Sequence, residues 1–207
     1  MKSNYKCGKV KHMILLKDEY WEIRETVNKG RGLFAKKPIP KGAIIGDYLG
    51  KVIHPKDAVI DEENFYLMYY HDTAAISPEI DKPGVHLLNH SCVPNAWLYI
   101  YKGHTLAFAL KKILKGEELT IPYLLSPKDE FCKPCLHICE CGNSQCTKTM
   151  HLSKARYSKW RKFNDKWANE TKREKVRVGQ DLPQLSSYPK TISRAYITGV
   201  NQLFEFV

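Results

Sequence analysis

Five of the seven cysteines, Cys132, Cys135, Cys139, Cys141 and Cys146, crowd between residues 132 and 146. That stretch is polar and short, so it cannot bury five thiols as ordinary core residues. The N-terminus, Met1 to Lys6, has no apolar run ahead of a small-residue cleavage site, so an intracellular, reducing setting is expected. There, crowded thiols signal metal binding rather than disulfides. Zinc asks for four thiolate or imidazole ligands in a tetrahedron. Cys139, Cys141 and Cys146 form C-x-C-x4-C and supply three. Cys92, Cys132, Cys135, His137 or His151 are open as the fourth, and an all-thiolate set of Cys132, Cys135, Cys139 and Cys141 is equally open, because spacing alone does not choose.

The rest of the chain must then fold as one domain of ordinary size with an appended tail. At 207 residues, 43% hydrophobic and 27% charged, it can form a packed core. Residues 10–60 read as β-rich, punctuated by turns at Asn28-Lys29-Gly30-Arg31-Gly32 and Pro38-Ile39-Pro40-Lys41-Gly42. Ala43 to Leu49 predicts a strand, and Asp61 to Tyr69 a short helix or irregular aromatic segment. Ala96–Tyr101 and Thr105–Leu110 flank Lys102-Gly103-His104 as a hairpin. Many short strands with frequent turns predict a mostly β domain.

Past Cys146 the character changes. Ser153–Arg177 has helical spacing, with Trp160, Phe163 and Trp167 on one face and ten Lys/Arg against three Asp/Glu over residues 154–177. Two uses fit: a helix docked by its aromatics with lysines solvating the outer face, or a grip on nucleic acid or a nucleosome. The first is preferred. The formal charge of +11 is compatible with both. Residues 178–207 carry no assignable pattern. No apolar run is long enough to cross a bilayer, so no membrane partner is expected.

Five short motifs occur in order: Gly30-Arg31-Gly32-Leu33-Phe34-Ala35, Asp47-Tyr48-Leu49-Gly50, Asn89-His90-Ser91-Cys92-Val93-Pro94-Asn95, Gly116-Glu117-Glu118-Leu119-Thr120-Ile121-Pro122-Tyr123, and the C-x-C-x4-C run. Singly each reads as a turn or strand end; the first lacks the third glycine of a dinucleotide fingerprint. Together, over roughly residues 20–150, the series resembles a SET-domain protein lysine methyltransferase with a post-SET zinc segment.

The resemblance implies a fold of short sheets with a pseudoknot, plus a C-terminal helical tail. The expected divisions are an N-terminal segment (1–20), the SET domain (21–125), a post-SET zinc segment (126–152) and a basic helical tail (153–207). It implies S-adenosylmethionine held by Gly30, Arg31, Gly32, Leu33, Asn89, His90 and Met150. Structural zinc is implied on Cys92, Cys139, Cys141 and Cys146. Tyr123 is the implied main catalytic residue, with Tyr48 lining the lysine channel, and His90 is not a general base. The implied partner is a protein bearing a target lysine, a histone or another basic protein, in nucleus or cytoplasm. Ile121 stands where the family often has Phe or Tyr, which implies room for more than one methyl. Pro122, His86, Ser77-Pro78 and Lys148 also depart from the pattern. Cys132 and Cys135 have no counterpart in it; idle or auxiliary thiols, or a second metal site with His137, are the readings. The competing functional reading is a non-catalytic, zinc-stapled module that binds nucleic acid or a protein tail.

Overall fold

The computed structural model describes residues 13–54, 66–71, 74–130, 132–168 and 177–204. Short strands follow from the sequence: apolar runs of four to six residues are cut by glycine and proline turns before they can lengthen. β1 (Trp21–Glu25) and β2 (Arg31–Ala35) form an antiparallel hairpin with Trp21 opposite Ala35. Its turn closes through Gly30 at φ +64, where a side chain would be strained. β3 (Ile44–Asp47), β8 (Ala96–Tyr101) and β9 (His104–Ala109) form a second sheet in the order β3–β9–β8. β9 is its central strand and is buried along its whole length. β4 (Lys51–Ile53), β5 (Met68–His71) and β6 (Ala74–Ser77) form a third, in the order β4–β6–β5.

The pairing that matters for function is the smallest. β7 (Asn89–His90) lies parallel to β10 (Thr120–Ile121), with Thr120 opposite Asn89 and Ile121 opposite His90. The β8–β9 hairpin intervenes in sequence. Asn95 supports the pair by donating to the Glu118 carbonyl at 2.8 Å and accepting from the Thr120 N–H at 2.9 Å. The tyrosine-bearing segment is therefore held beside the Asn–His segment, as the resemblance implies. Leu33, Leu87, Leu88, Leu119 and Ile113 are essentially inaccessible beneath this pair and join one large core cluster.

The tail is more ordered than its sequence predicts. α1 spans Lys154–Ala168 within the expected Ser153–Arg177; residues 169–176 lie outside the described residues, as does most of the expected 61–69 segment. Trp160, Phe163 and Trp167 pack on a second cluster with Trp97 and Phe108, the docking its aromatic face predicts. Residues 178–204, left without an assignment by the sequence, return to the body. Leu182 N–H donates to Gly50 O at 2.9 Å and Ile192 N–H to Gly42 O at 3.0 Å. α2 (Arg194–Phe204) then packs on α1, with Tyr196 5.4 Å from Phe163 and 5.1 Å from Trp167. Tyr188 donates to Asp47 at 2.8 Å, and the same oxygen lies 2.8 Å from His104 Nδ1, so a tail residue completes a buried polar network in the sheet. No helix among the described residues is long and apolar enough to cross a membrane.

Candidate functional site

A cleft of about 170 Å³ opens where β7, the residue after Pro122 and the 138–150 segment meet; Asn89, His90, Tyr123, Ile138, Cys139 and Met150 are among its walls. Each wall has a local cause. Asn89 is buried and its amide donates to Arg31 O at 3.2 Å and Glu118 Oε1 at 2.9 Å, which fixes the side chain against β2. Glu118 is held in turn by an ion pair with Lys29, another cleft residue. A Cβ on Gly32 would come within 2.8 Å of Glu118 Oε1 and 2.9 Å of Asn89 Nδ2. Glycine is needed there so that these two groups can close on the strand.

His90 links the two halves of the site. Its Nδ1 accepts the Tyr123 N–H at 3.1 Å, and its Nε2 lies 3.6 Å from Cys92 Sγ. The ring stands edge-on to the Tyr123 ring, centroids 5.3 Å apart. Burial, with the Lys29 charge adding to it, lowers the His90 pKa to about 4. The ring is thus neutral, with one nitrogen committed to a backbone amide, which fits a positioning role.

Two phenols define the reactive end. One flank of Tyr123 is exposed, 39% overall, but desolvation at its hydroxyl, then the Tyr66 phenol and Glu118, push its pKa up to about 12. Tyr48 is 5% exposed and donates to the Tyr66 carbonyl. Desolvation, with Tyr123 and Tyr66 nearby, raises its pKa beyond the usual tyrosine range. Both phenols therefore stay protonated across neutral pH and act through hydrogen bonds.

The third component is sulfur. Cys92, Cys139, Cys141 and Cys146 bring four Sγ atoms within 4.8 Å of one another. Cys92 Sγ lies 3.5 Å from that of Cys139 and 4.0 Å from that of Cys146. A zinc tetrahedron with Zn–S of about 2.3 Å sets sulfurs about 3.8 Å apart, so the set is dimensioned for one ion. Backbone N–H groups of Thr147 and Lys148 point at Cys92 and Cys146 Sγ at 3.4 and 3.3 Å, as thiolates require. Of the open choices for a fourth partner, Cys92 is the one that lies with Cys139, Cys141 and Cys146, while the thiols of the all-thiolate set Cys132, Cys135, Cys139 and Cys141 fall into two separate clusters. Cys132 and Cys135, read as idle or auxiliary, instead converge with His137 and His151.

Asn89, His90 and Met150 thus share the cleft with Tyr123. Gly30, Arg31, Gly32 and Leu33 do not line it: Leu33 is in the core, and the Arg31 guanidinium turns to the Ile80 carbonyl at 2.9 Å. Arg31 reaches the site only through its carbonyl, which Asn89 reads. Sequence reasoning did not anticipate Lys29 and Glu118; the one signal was their place, Lys29 in the turn just before the first glycine motif and Glu118 inside the tyrosine motif. It also missed Tyr66, which only the fold brings to Tyr48 and Tyr123.

A mostly β body, with a parallel two-residue pair that sets Asn-His against a strand-end tyrosine beside a cysteine-rich segment, is consistent with the SET-domain fold that the sequence resembles. This chain matches the model of the SET domain family over residues 30–124. It is 28% identical over 155 residues to histone-lysine N-methyltransferase 2B of Homo sapiens, covering 68% of this chain and 6% of that protein. It is 35% identical over 113 residues to the H3 lysine-36 specific histone-lysine N-methyltransferase of Saccharomyces cerevisiae, covering 49% of this chain and 15% of that protein. Against trithorax of Drosophila virilis it is 28% identical over 133 residues, 59% of this chain and 3% of that protein. The chain spans less than a fifth of each of these relatives.

Proposed function

We propose that this chain is an S-adenosylmethionine-dependent protein-lysine N-methyltransferase whose substrate is a histone or another basic protein. The observation that carries the reading is the convergence of Tyr123, Asn89, His90 and Met150 on one cleft, with the Tyr48 phenol beside Tyr123. The residues suit the cofactor. Asn89 and His90 present polar edges with Met150 as an apolar face, the pairing that an adenine ring uses. When bound, S-adenosylmethionine supplies an electrophilic methyl group on a sulfonium.

The protein's own groups would do the rest. Asn89 and His90 would orient the adenine, and the 138–150 segment would close over it. Tyr123 and Tyr48, both neutral phenols, would orient the incoming lysine Nζ in line with the methyl. Free lysine has a pKa of about 10.4, and a dry channel beside a cationic cofactor lowers it, so the amine can enter neutral. No side-chain base is then required. With Tyr123 and Tyr48 holding the lysine Nζ toward the methyl donor, the amine's proton would pass to solvent. Ile121, two residues before Tyr123, is aliphatic and 5% exposed, which would favour products carrying more than one methyl group.

The test is incubation of labelled S-adenosylmethionine with a cell extract and either wild type or Tyr123→Phe. Label on specific proteins that disappears in the variant is the expected result. Intact-mass analysis of the labelled product reads the number of methyls. Cofactor binding without transfer to any protein would instead favour the non-catalytic binding module.

A further inference from the structure

We infer that Cys132, Cys135, His137 and His151 form a second zinc site, of Cys2His2 type, separate from the four-cysteine site and built on the same segment. The four donor atoms lie within 4.8 Å of one another. Cys132 Sγ is 3.4 Å from His137 Nδ1 and 3.4 Å from His151 Nε2, and the two imidazole nitrogens are 3.2 Å apart. With Zn–S of about 2.3 Å and Zn–N of about 2.05 Å, a tetrahedron has S–N edges of about 3.6 Å and an N–N edge of about 3.4 Å. All three measured edges are near those lengths, and Cys135 Sγ closes the set.

The tautomer supports the same conclusion. His151 Nδ1 lies 2.6 Å from the Ser126 carbonyl, which can only accept, so the ring proton sits on Nδ1. Nε2 is left with a lone pair aimed at the cluster. A carbonyl orienting the far nitrogen of a metal-bound histidine is the usual supporting arrangement at zinc. The two rings stand nearly perpendicular, at 86°, so their lone pairs approach one point from different directions instead of stacking.

The site would tie parts of the chain that little else joins. Cys132 and Cys135 follow the strand end that carries Tyr123, while His137 and His151 bracket the hairpin that carries the cleft residues Ile138 and Met150. Ile138 bridges Thr149 within that hairpin, and Met150 N–H donates to His137 O at 3.0 Å. An ion here fixes the base of the hairpin, and the four-cysteine site fixes its tip to Cys92.

Metal content of the whole purified chain decides the matter without reference to methyl transfer. Wild type should hold two zinc ions, with X-ray absorption giving an average of about three sulfurs and one nitrogen per zinc. Cys132→Ser and His151→Ala should each lose one zinc and shift the average to sulfur alone. His151→Cys, which keeps a ligand, should recover two. Cys141→Ser should retain a zinc bound by mixed sulfur and nitrogen, which separates loss of this site from general unfolding. The inference is overturned if Cys132→Ser and His151→Ala hold as much zinc as wild type, or if wild-type zinc sees no nitrogen.

Discussion

The two walls of the cleft are held by different physics. Asn89, His90 and the approach to Tyr123 belong to β7 and β10, whose backbones pair with each other over leucines that are 0–1% exposed. Ile138, Cys139 and Met150 belong to a hairpin with little apolar cover: Ile138 is 60% and its neighbour Leu136 76% exposed. Among the described residues, its ties to the body are the thiols, the Leu152–Leu125 backbone bond and the His151–Ser126 contact. One wall is made by burial and the other by donor chemistry, so the second should be removable while the first stays folded.

The largest expected effect tests that separation. Structural zinc in small sites contributes on the order of 10 kcal/mol to the order of the segment it binds. Cys139→Ser should therefore release the hairpin and weaken S-adenosylmethionine binding at least a hundredfold by calorimetry. Hydrogen exchange should rise across residues 136–151 and stay low in β8 and β9. Loss of protection in both regions would show that the walls are one cooperative unit.

Next is Tyr123→Phe, which leaves both walls in place and removes one hydroxyl. A group that orients the reacting amine is worth about a hundredfold in rate, near 3 kcal/mol. kcat should fall by about that factor, with cofactor affinity within about twofold of wild type. A parallel loss of cofactor affinity would assign the phenol to binding instead.

Gly32→Ala strikes the buried wall. The added methyl would meet Glu118 and Asn89 inside 3.0 Å, and overpacking of this kind costs about 1–3 kcal/mol. Urea unfolding should register that loss, and cofactor affinity should drop because Asn89 must move. An unchanged midpoint would mean that the Lys29–Glu118 pair yields freely.

The contrast between the walls also explains what could be read from sequence. The strands and the β8–β9 hairpin were legible because alternating apolar runs and Lys102-Gly103 encode them locally, and the tyrosine and Asn-His motifs sat at their ends. The motif resemblance supplied Cys92; spacing alone could not choose it over Cys132, because the choice depends on a contact across 47 residues. The His137–His151 convergence was hidden for the same reason. Gly30–Leu33 was expected at the cofactor through its backbone, which side-chain positions do not decide: Leu33 packs in the core and the Arg31 guanidinium turns toward Ile80. The strand-like contacts of residues 178–193 escaped because they are single backbone bonds, whereas α2 carries a helical signal in Tyr196, Ile197, Val200 and Leu203 that sequence reasoning missed.

The smallest effect is acid sensitivity confined to the buried wall. His86 lies in the short 3-10 turn Val85–Leu87 that leads into β7 and is 5% exposed, with the Ile80 carbonyl near its ring offsetting part of the effect of burial. Its ring meets Tyr66 edge-on at 5.3 Å, and the charge facing it is the Arg31 guanidinium. Burial first, and Arg31 second, lower its pKa from 6.5 to about 4. Because the folded value is the depressed one, the unfolded chain binds the proton first as pH falls. The stabilisation is complete above about pH 6.5 and declines from there down to about pH 4. Between pH 7 and pH 6 the loss is about 0.7 kcal/mol by linkage from these two values. Urea midpoints of wild type should fall over that interval by more than those of His86→Leu, with metal content matched. Equal slopes in the two proteins would mean that His86 does not carry the acid response, and that it begins at the donor-held wall, where ligand protonation releases metal.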